Sequence, residues 1–359
     1  MKLINGSYIL KILFTKIILI FIFFTSILSA QTPEILKKNF FFCEGNIGDV
    51  KIYVYLYLDE KNISGKYYYD TIRQFINIEG KISGNSFNIK ESVNNRVTGY
   101  FEGTISDDLV FVGEWSSNDG NNKYDFKFSR KTSFPINNIE IITSILKTDT
   151  KEANYFESSK DAIIIKNTKN LNAIDKISLD VDGIKSLNEN RIHFLLNSAI
   201  IDEYGSWKEG LNDNMDFYIK REINVSFLDN KIISFSIYNY SYAGGMHGIY
   251  NSVPAIYLIS TGARIGNNIS ELIENKNDRD LINLMRSKLL RNFTEKDFFD
   301  FYSIELSDTF DITPTGIKFI WPVYKIAGYA QGIIEVDLTY SELKPFIKRD
   351  SVFWYLFEK

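Results

Sequence analysis

Lys51-Ile52-Tyr53-Val54-Tyr55-Leu56-Tyr57-Leu58 is the stretch that decides the fold class of this chain. Aliphatic residues alternate with tyrosines along it, and a period of two belongs to a β-strand. Similar short runs follow at residues 63–69, 75–79, 86–89, 97–105, 109–115 and 124–128, separated by Gly, Asn and Asp. Half-buried strands at such regular intervals predict an antiparallel meander or small barrel. Gly65, Gly80, Gly84, Gly99, Gly103 and Gly113 fall at strand ends or inside strands, where they allow turns or the bends that curve a sheet. Helical spacing is missing between residues 40 and 131, so residues 31–131 are expected to form an all-β unit.

Ahead of this unit, Lys2, Lys11 and Lys16 precede an almost wholly apolar run at residues 17–28, and Ser29-Ala30 comes just before Gln31. That is the layout of a secretory signal, expected to be residues 1–30 and removed after Ala30. The lysines interrupt the run before it reaches the ~20 apolar residues of a membrane-spanning helix. The expectation is an extracytoplasmic chain, periplasmic or secreted, with no membrane span after cleavage. Cys43 is the single cysteine, so an internal disulfide framework is excluded. Beside Phe41 and Phe42 it reads as a small buried hydrophobe. The net charge of −4 becomes −7 without the three signal lysines, with 38 basic residues against 45 acidic ones. Such a balance disfavours nucleic acid, which needs a basic face.

Beyond residue 131 a polar stretch, 132–154, is expected to act as a linker, and the pattern then changes. Ser186-Leu187-Asn188-Glu189 reads as a capping box, and Ile192, Leu195, Leu196, Ala199 and Ile200 recur behind it at helical spacing, with a stop expected by Gly205. Two alternating strands around Asp229-Asn230 predict a hairpin. A second helix follows Asn277, with Leu281, Leu284, Met285 and Leu289 as its apolar stripe. Strands are expected at 317–321 and 333–338, then a short helical segment at 340–347. Residues 155–359 are therefore predicted to be an α+β module with an antiparallel sheet and segregated helices.

Candidates for chemistry are few. His193 lies on the first helix beside its apolar stripe, the place of a packed histidine. His247 stands in Tyr242-Ala243-Gly244-Gly245-Met246-His247-Gly248. Glycines around a histidine can bring backbone N–H groups close to a ligand. The same residues can equally make a sharp loop that His247 fixes by a backbone hydrogen bond. No nucleophile or second ligand stands beside it in sequence. Zinc-ligand spacings, a P-loop, GxGxxG and a nucleophile elbow are missing, so no metal or cofactor is expected. Asp180-Val181-Asp182-Gly183 and Asn118-Asp119-Gly120-Asn121 lack the rest of a calcium loop and read as turns. Tyr238, Tyr240 and Tyr242 alternate along one strand and share a face, which suits a sugar ring or a protein partner as well as a buried sheet.

Three further pieces follow the Gly-Gly-x-His loop: Thr261-Gly262, Ile269-Ser270-Glu271-Leu272-Ile273, and Tyr324-Lys325-Ile326-Ala327-Gly328-Tyr329-Ala330-Gln331-Gly332 leading to Tyr340-Ser341-Glu342-Leu343. In this order the region resembles the extracytoplasmic C-terminal domain of RsiV-type anti-sigma factors and the non-catalytic part of PdaC-type peptidoglycan deacetylases, over about residues 139–357. Lys325 and Gly328 stand where members commonly carry Glu and Pro. The resemblance implies an envelope-facing domain, which in the anti-sigma relatives binds lysozyme. It implies no deacetylase activity, because the Asp/His catalytic domain has no counterpart here. The expected function is an exported binding protein for a lysozyme-like protein or a peptidoglycan or other glycan ligand. The alternatives are a cell-wall or glycan hydrolase or deacetylase, and a structural envelope module. The expected contact residues are Tyr242, Gly244, Gly245, His247, Gly248, Tyr324, Tyr329 and Gly332.

Overall fold

The computed structural model describes residues 32–136, 138–148, 155–166, 173, 177–178, 180–181, 189–210 and 215–358. The expected signal peptide and Ser186 of the capping box lie outside the described residues.

Eight antiparallel strands open the fold: β1 (Glu34–Ile47), β2 (Val50–Leu58), β3 (Asn62–Tyr69), β4 (Ile76–Ser83), β5 (Ser86–Val93), β6 (Arg96–Ile105), β7 (Val110–Ser117) and β8 (Lys123–Arg130). Each pairs with the next, and β8 returns to β1 through Cys43↔Arg130 to Ile47↔Phe126, closing a barrel. Its interior is packed with side chains, among them Ile52, Val54, Leu56, Phe87, Phe101, Phe111 and Phe126. The gap left inside is about 10 Å³, the size of a single water at most. Cys43 is fully buried there, and burial pushes its thiol up, away from the reactive thiolate. The tight curvature needs backbones in close contact. Gly103 faces Gly113 across β6 and β7, and a Cβ on Gly113 would fall 2.0 Å from the Glu102 carbonyl oxygen.

β1 is longer than the barrel needs. While Cys43–Ile47 close on β8, Glu34–Phe40 pair along the same edge with β9 (Asn138–Lys147). One strand thereby leads out of the barrel into an open sheet that continues through β10 (Phe156–Lys166), β11 (Phe217–Leu228), β12 (Ile232–Ala243), β13 (Ile249–Leu258) and β14 (Arg264–Ile265). The stretch 132–154, expected as a linker, therefore holds a central strand. Ile139, Ile141, Ile142 and Leu146 are buried on its two faces, and the buried Glu140 forms an ion pair with Lys37 of β1. Lysine, threonine and asparagine at both ends gave this segment its polar look, and its apolar middle is what folds.

β10 and β11 run parallel, and α1 (Glu189–Gly210) lies between them in the chain, as a parallel pair requires. Ile192, Leu196 and Ile200 bury the expected stripe. The helix runs on past Gly205 to Gly210. A mid-helix glycine costs only about 1 kcal/mol, and Tyr204 and Trp207 pack on Phe156 on either side of it. The predicted hairpin is β11–β12, with Asp229 Oδ1 accepting from the N–H groups of Lys231 and Ile232.

The C-terminal part adds α2 (Arg279–Leu289), capped by Asp278, and a three-stranded antiparallel sheet of β15 (Phe310–Ile312), β16 (Gly316–Trp321) and β17 (Ile334–Thr339), followed by α3 (Tyr340–Leu343). Leu281, Met285 and Leu289 of α2 share one core with Phe310, Phe319 and Trp321 of the small sheet. The molecule is thus an eight-stranded barrel with extra strands, joined to an α+β region with its own small antiparallel sheet.

The barrel and the open sheet meet on the tyrosine side of β2. Ile52, Val54 and Leu56 face into the barrel, while Tyr55 and Tyr57, with Phe40 and Phe42 of β1, face outward into a core with Ile223, Val225, Ile233 and Phe235. There β11 runs past its parallel pairing with β10, which ends at Arg221. Its next backbone N–H groups are taken by side chains: Ile223 donates to Asp161 Oδ2 (2.9 Å), Val225 to the Tyr57 hydroxyl (2.8 Å) and Leu228 to the Tyr55 hydroxyl (3.2 Å). Three side chains stand in for a missing strand, which buried backbone donors demand.

Ser226 forms a bulge in β11, and its hydroxyl, with that of Ser234 and the Ile312 N–H, donates to Asp311 Oδ1 at 2.6–3.1 Å. Asp311 is 5% exposed, and burial pushes its carboxyl up against the pull of those donors. A carboxyl raised in the native state adds stability that is complete below the ordinary aspartate pKa of ~3.9 and is lost as pH rises through the native value. Asp311→Asn keeps the accepting oxygen and removes the titration. Its unfolding free energy relative to the parent is therefore expected to be more favourable at pH 7 than at pH 4. Urea melts at the two pH values check this, and an identical difference at both would refute it.

Candidate functional site

The β12–β13 connection, residues 244–248, and the segment after β16, residues 322–332, meet at the open end of the sheet. Gly244 and Gly245 have φ of +84° and +100°, conformations in which a side chain is strained. They turn the chain sharply and leave Met246 fully exposed. Gly248 is buried against the Tyr240 ring, which a Cβ there would strike at 2.5 Å.

His247 is clamped by both segments. Its Nδ1 lies 3.1 Å from the Gly248 carbonyl oxygen, so Nδ1 carries the proton and donates. Nε2 is then the acceptor for the Tyr324 hydroxyl at 3.1 Å. Tyr329 stacks on the imidazole with centroids 3.7 Å apart, and its hydroxyl donates to the Gly248 carbonyl at 2.8 Å. Tyr324 adopts φ +65°, rare for a large residue, and remains 51% exposed. Tyr242 donates to the Gly245 carbonyl at 3.0 Å, and Gly332 lies beside the Tyr250 hydroxyl. All eight expected residues thus fall in or around one surface, although only Gly248, Tyr324 and Tyr329 touch the imidazole and Tyr242, Gly244, Gly245 and Gly332 lie around it.

Sequence reasoning missed the size of this surface. Strand pairing sets Tyr240 opposite Tyr250 and Tyr242 opposite Tyr218, and sets Tyr238 opposite Glu222 and Ser252. A half-buried tyrosine strip therefore crosses β11, β12 and β13 and ends at Tyr329, whose ring meets Tyr250 at 5.7 Å. Tyr218, in Phe217-Tyr218-Ile219-Lys220-Arg221, and Tyr250, in Ile249-Tyr250-Asn251-Ser252, continue no alternating row, so only strand pairing reveals them. Partial burial and neighbouring phenols hold Tyr238 and Tyr329 above the ordinary range, so both stay protonated donors. Ile249, 61% exposed, adds apolar area beside Met246.

Other candidates resolve separately. His193 is half-buried on α1, 3.6 Å from Glu189. Asp119 closes its own turn, accepting from Ser117 and Asn121. Asp180 accepts from the Tyr257 hydroxyl and Arg264, while Asp182 and Gly183 lie outside the described residues. Among the described residues no three His, Cys, Asp or Glu side chains are placed to hold a metal ion. No helix among them is long and apolar enough to cross a membrane.

Residues 260–341 match the model of the DUF3298 family, described as a protein of unknown function. The C-terminal region carries a DUF3298 domain. Two solved structures are similar to the chain. One is a member of the DUF3298 family from Bacteroides fragilis, 13% identical, covering 60% of this chain and 97% of its own with a TM-score of 0.44. The other is a DUF3298 family protein from Pseudomonas aeruginosa, also 13% identical, covering 58% and 94% with a TM-score of 0.40. No curated protein matches the chain. The DUF3298 match contains α2, the small sheet and the segment with Tyr324, Tyr329 and Gly332. It begins after the Tyr242–Gly248 loop, so the clamp on His247 joins the DUF3298 domain to the strands before it.

Proposed function

We propose that the chain is an exported, envelope-facing binding protein, and that the surface around His247 docks a lysozyme-like protein. The observation that carries this is the group of large apolar side chains left in solvent on one rigid platform: Met246, Ile249 and Tyr324, beside the half-buried tyrosine strip. Exposed Met and Ile beside a tyrosine held by its hydrogen bond to His247 suit a protein contact, where a few such anchors supply most of the affinity. His247 has both ring nitrogens engaged in holding the loop, which favours a structural role over that of a catalytic base. Resemblance to the anti-sigma domains supports the choice of partner. So does charge: an acidic chain attracts a strongly basic partner by steering that weakens with salt.

Calorimetry of the exported chain against lysozyme and against soluble muropeptides, at low and physiological salt, tests this. Lysozyme should bind, more weakly at higher salt, and Tyr324→Ala or Met246→Ser should weaken it about tenfold or more, equivalent to ~1.4 kcal/mol. Binding of muropeptides alone would replace the protein partner by a glycan stacked on the tyrosines. Binding of neither by a folded chain would end the ligand class.

A further inference from the structure

A cleft of about 870 Å³ separates the barrel from the small sheet, floored by the open sheet. That is the volume of an ordinary small-molecule site, and junctions between structural units are where such sites concentrate. Lys66 of β3 and Phe75 form the barrel wall, Ser236 and Ser252 the floor, and Asp311, Lys318, Glu335 and Asp337 the wall opposite.

Most charges here are matched. Lys318 pairs with Glu335 at 2.7 Å, Lys288 with Glu342 at 2.6 Å and Arg73 with Asp70 at 3.8 Å. Asp311 is held by its three donors. Lys66 differs: among the described residues its ammonium has no carboxylate or carbonyl partner. It lies over the Phe75 ring at 4.0 Å and the Tyr55 ring at 5.6 Å. Arg291 at the rim is likewise without an ion-paired carboxylate, and Asp337 stands opposite Lys318 in the β16–β17 pairing and is attracted by it and by Lys288. Burial pushes the Lys66 amine down to about 8. Asp311 and Glu335 attract it across the cleft, but Glu335 is paired with Lys318 and Asp311 is held by its three donors. The desolvated ammonium therefore has ring faces and no direct ion pair, and an anion would supply one.

We propose that this cleft binds a small hydroxyl-bearing anion, with its acid group on Lys66 and its hydroxyls on Ser236, Ser252 and Asn77. Those three side chains line the same space, and the two serine hydroxyls lie 3.0 Å apart. The site is distinct from the His247 surface and does not depend on the partner proposed there. The acid group is a carboxylate or a phosphate, since a lysine accepts either as a point charge.

The full chain is melted in rising glucuronate, glucose 6-phosphate or glucose, each at an ionic strength fixed with sodium chloride. At least one of the two anions should raise the melting temperature with saturation, and glucose should not; the anion that works identifies the acid group. In Lys66→Met, which keeps the stem over Phe75, the affinity should fall at least tenfold, with Lys66→Arg intermediate. A measurement that needs no variant is acylation of Lys66 at pH 8, followed by peptide mass, which the effective anion should slow at least fivefold. Saturable stabilisation that survives in Lys66→Met, or no protection of Lys66 by either anion, overturns the proposal.

Discussion

Replacing both Tyr55 and Tyr57 by phenylalanine is expected to lower the unfolding free energy by about 2–4 kcal/mol, although the exchange removes only two oxygen atoms. Each hydroxyl is the acceptor for a buried N–H of β11, at Leu228 and Val225. Stripped of it, each donor is left unsatisfied at ~1–3 kcal/mol. The rings keep their packing, so the loss reports the hydrogen bonds across the barrel–sheet contact. Tyr124→Phe, on a tyrosine 49% exposed, serves as the control and should stay within about 0.5 kcal/mol of the parent. Because those hydroxyls tie the two parts together, fluorescence and circular dichroism should report one common transition in the parent. A double variant as stable as the parent would show that β11 finds other acceptors.

Gly113→Ala should be nearly as damaging, at about 3 kcal/mol, and for the opposite reason: it adds one carbon where none fits. The new Cβ would lie 2.0 Å from the Glu102 carbonyl oxygen and 2.6 Å from the Gly103 Cα, both backbone atoms of the neighbouring strand. The barrel would have to open locally. The same exchange at Gly205 of α1 meets nothing within 4 Å and replaces a poor helix former by the best one. It should stabilise the chain by up to about 1 kcal/mol. Urea melts of the two variants give the contrast directly, and equal effects would mean that the close approach of β6 and β7 is not required.

The strand nature of residues 51–58 was legible because alternation marks a strand wherever it occurs. Which side is wet was not legible. A tyrosine alternating with aliphatics looks half-exposed, and only the presence of β11 makes Tyr55 fully buried. The same limit explains β9: Ile139, Ile141 and Ile142 break strict alternation because both faces are covered, and that erases the period-two signal. The site shows a comparable division. Gly244 and Gly245 announced a sharp turn, and the run of tyrosines announced a shared face. That Tyr324 would reach His247, 77 residues away, is a tertiary fact. It came within reach only because both motifs occur in the family that the region resembles.

The double partnership of β1 also constrains how the chain acquires its shape. β1 precedes both of its edge partners in the chain, so Cys43 waits for Arg130 and Glu34 for Ile145. Those are separations on the order of a hundred residues, and contacts so distant in sequence make for slow folding. Until β8 and β9 arrive one edge of β1 is unpaired, and until β11 and β12 arrive the outward rings of Phe40 and Phe42 are uncovered, a template for sticking to another copy. The newly made chain is therefore open to aggregation through β1, and a holding chaperone would act there until β8, β9 and β11 are available to cover it.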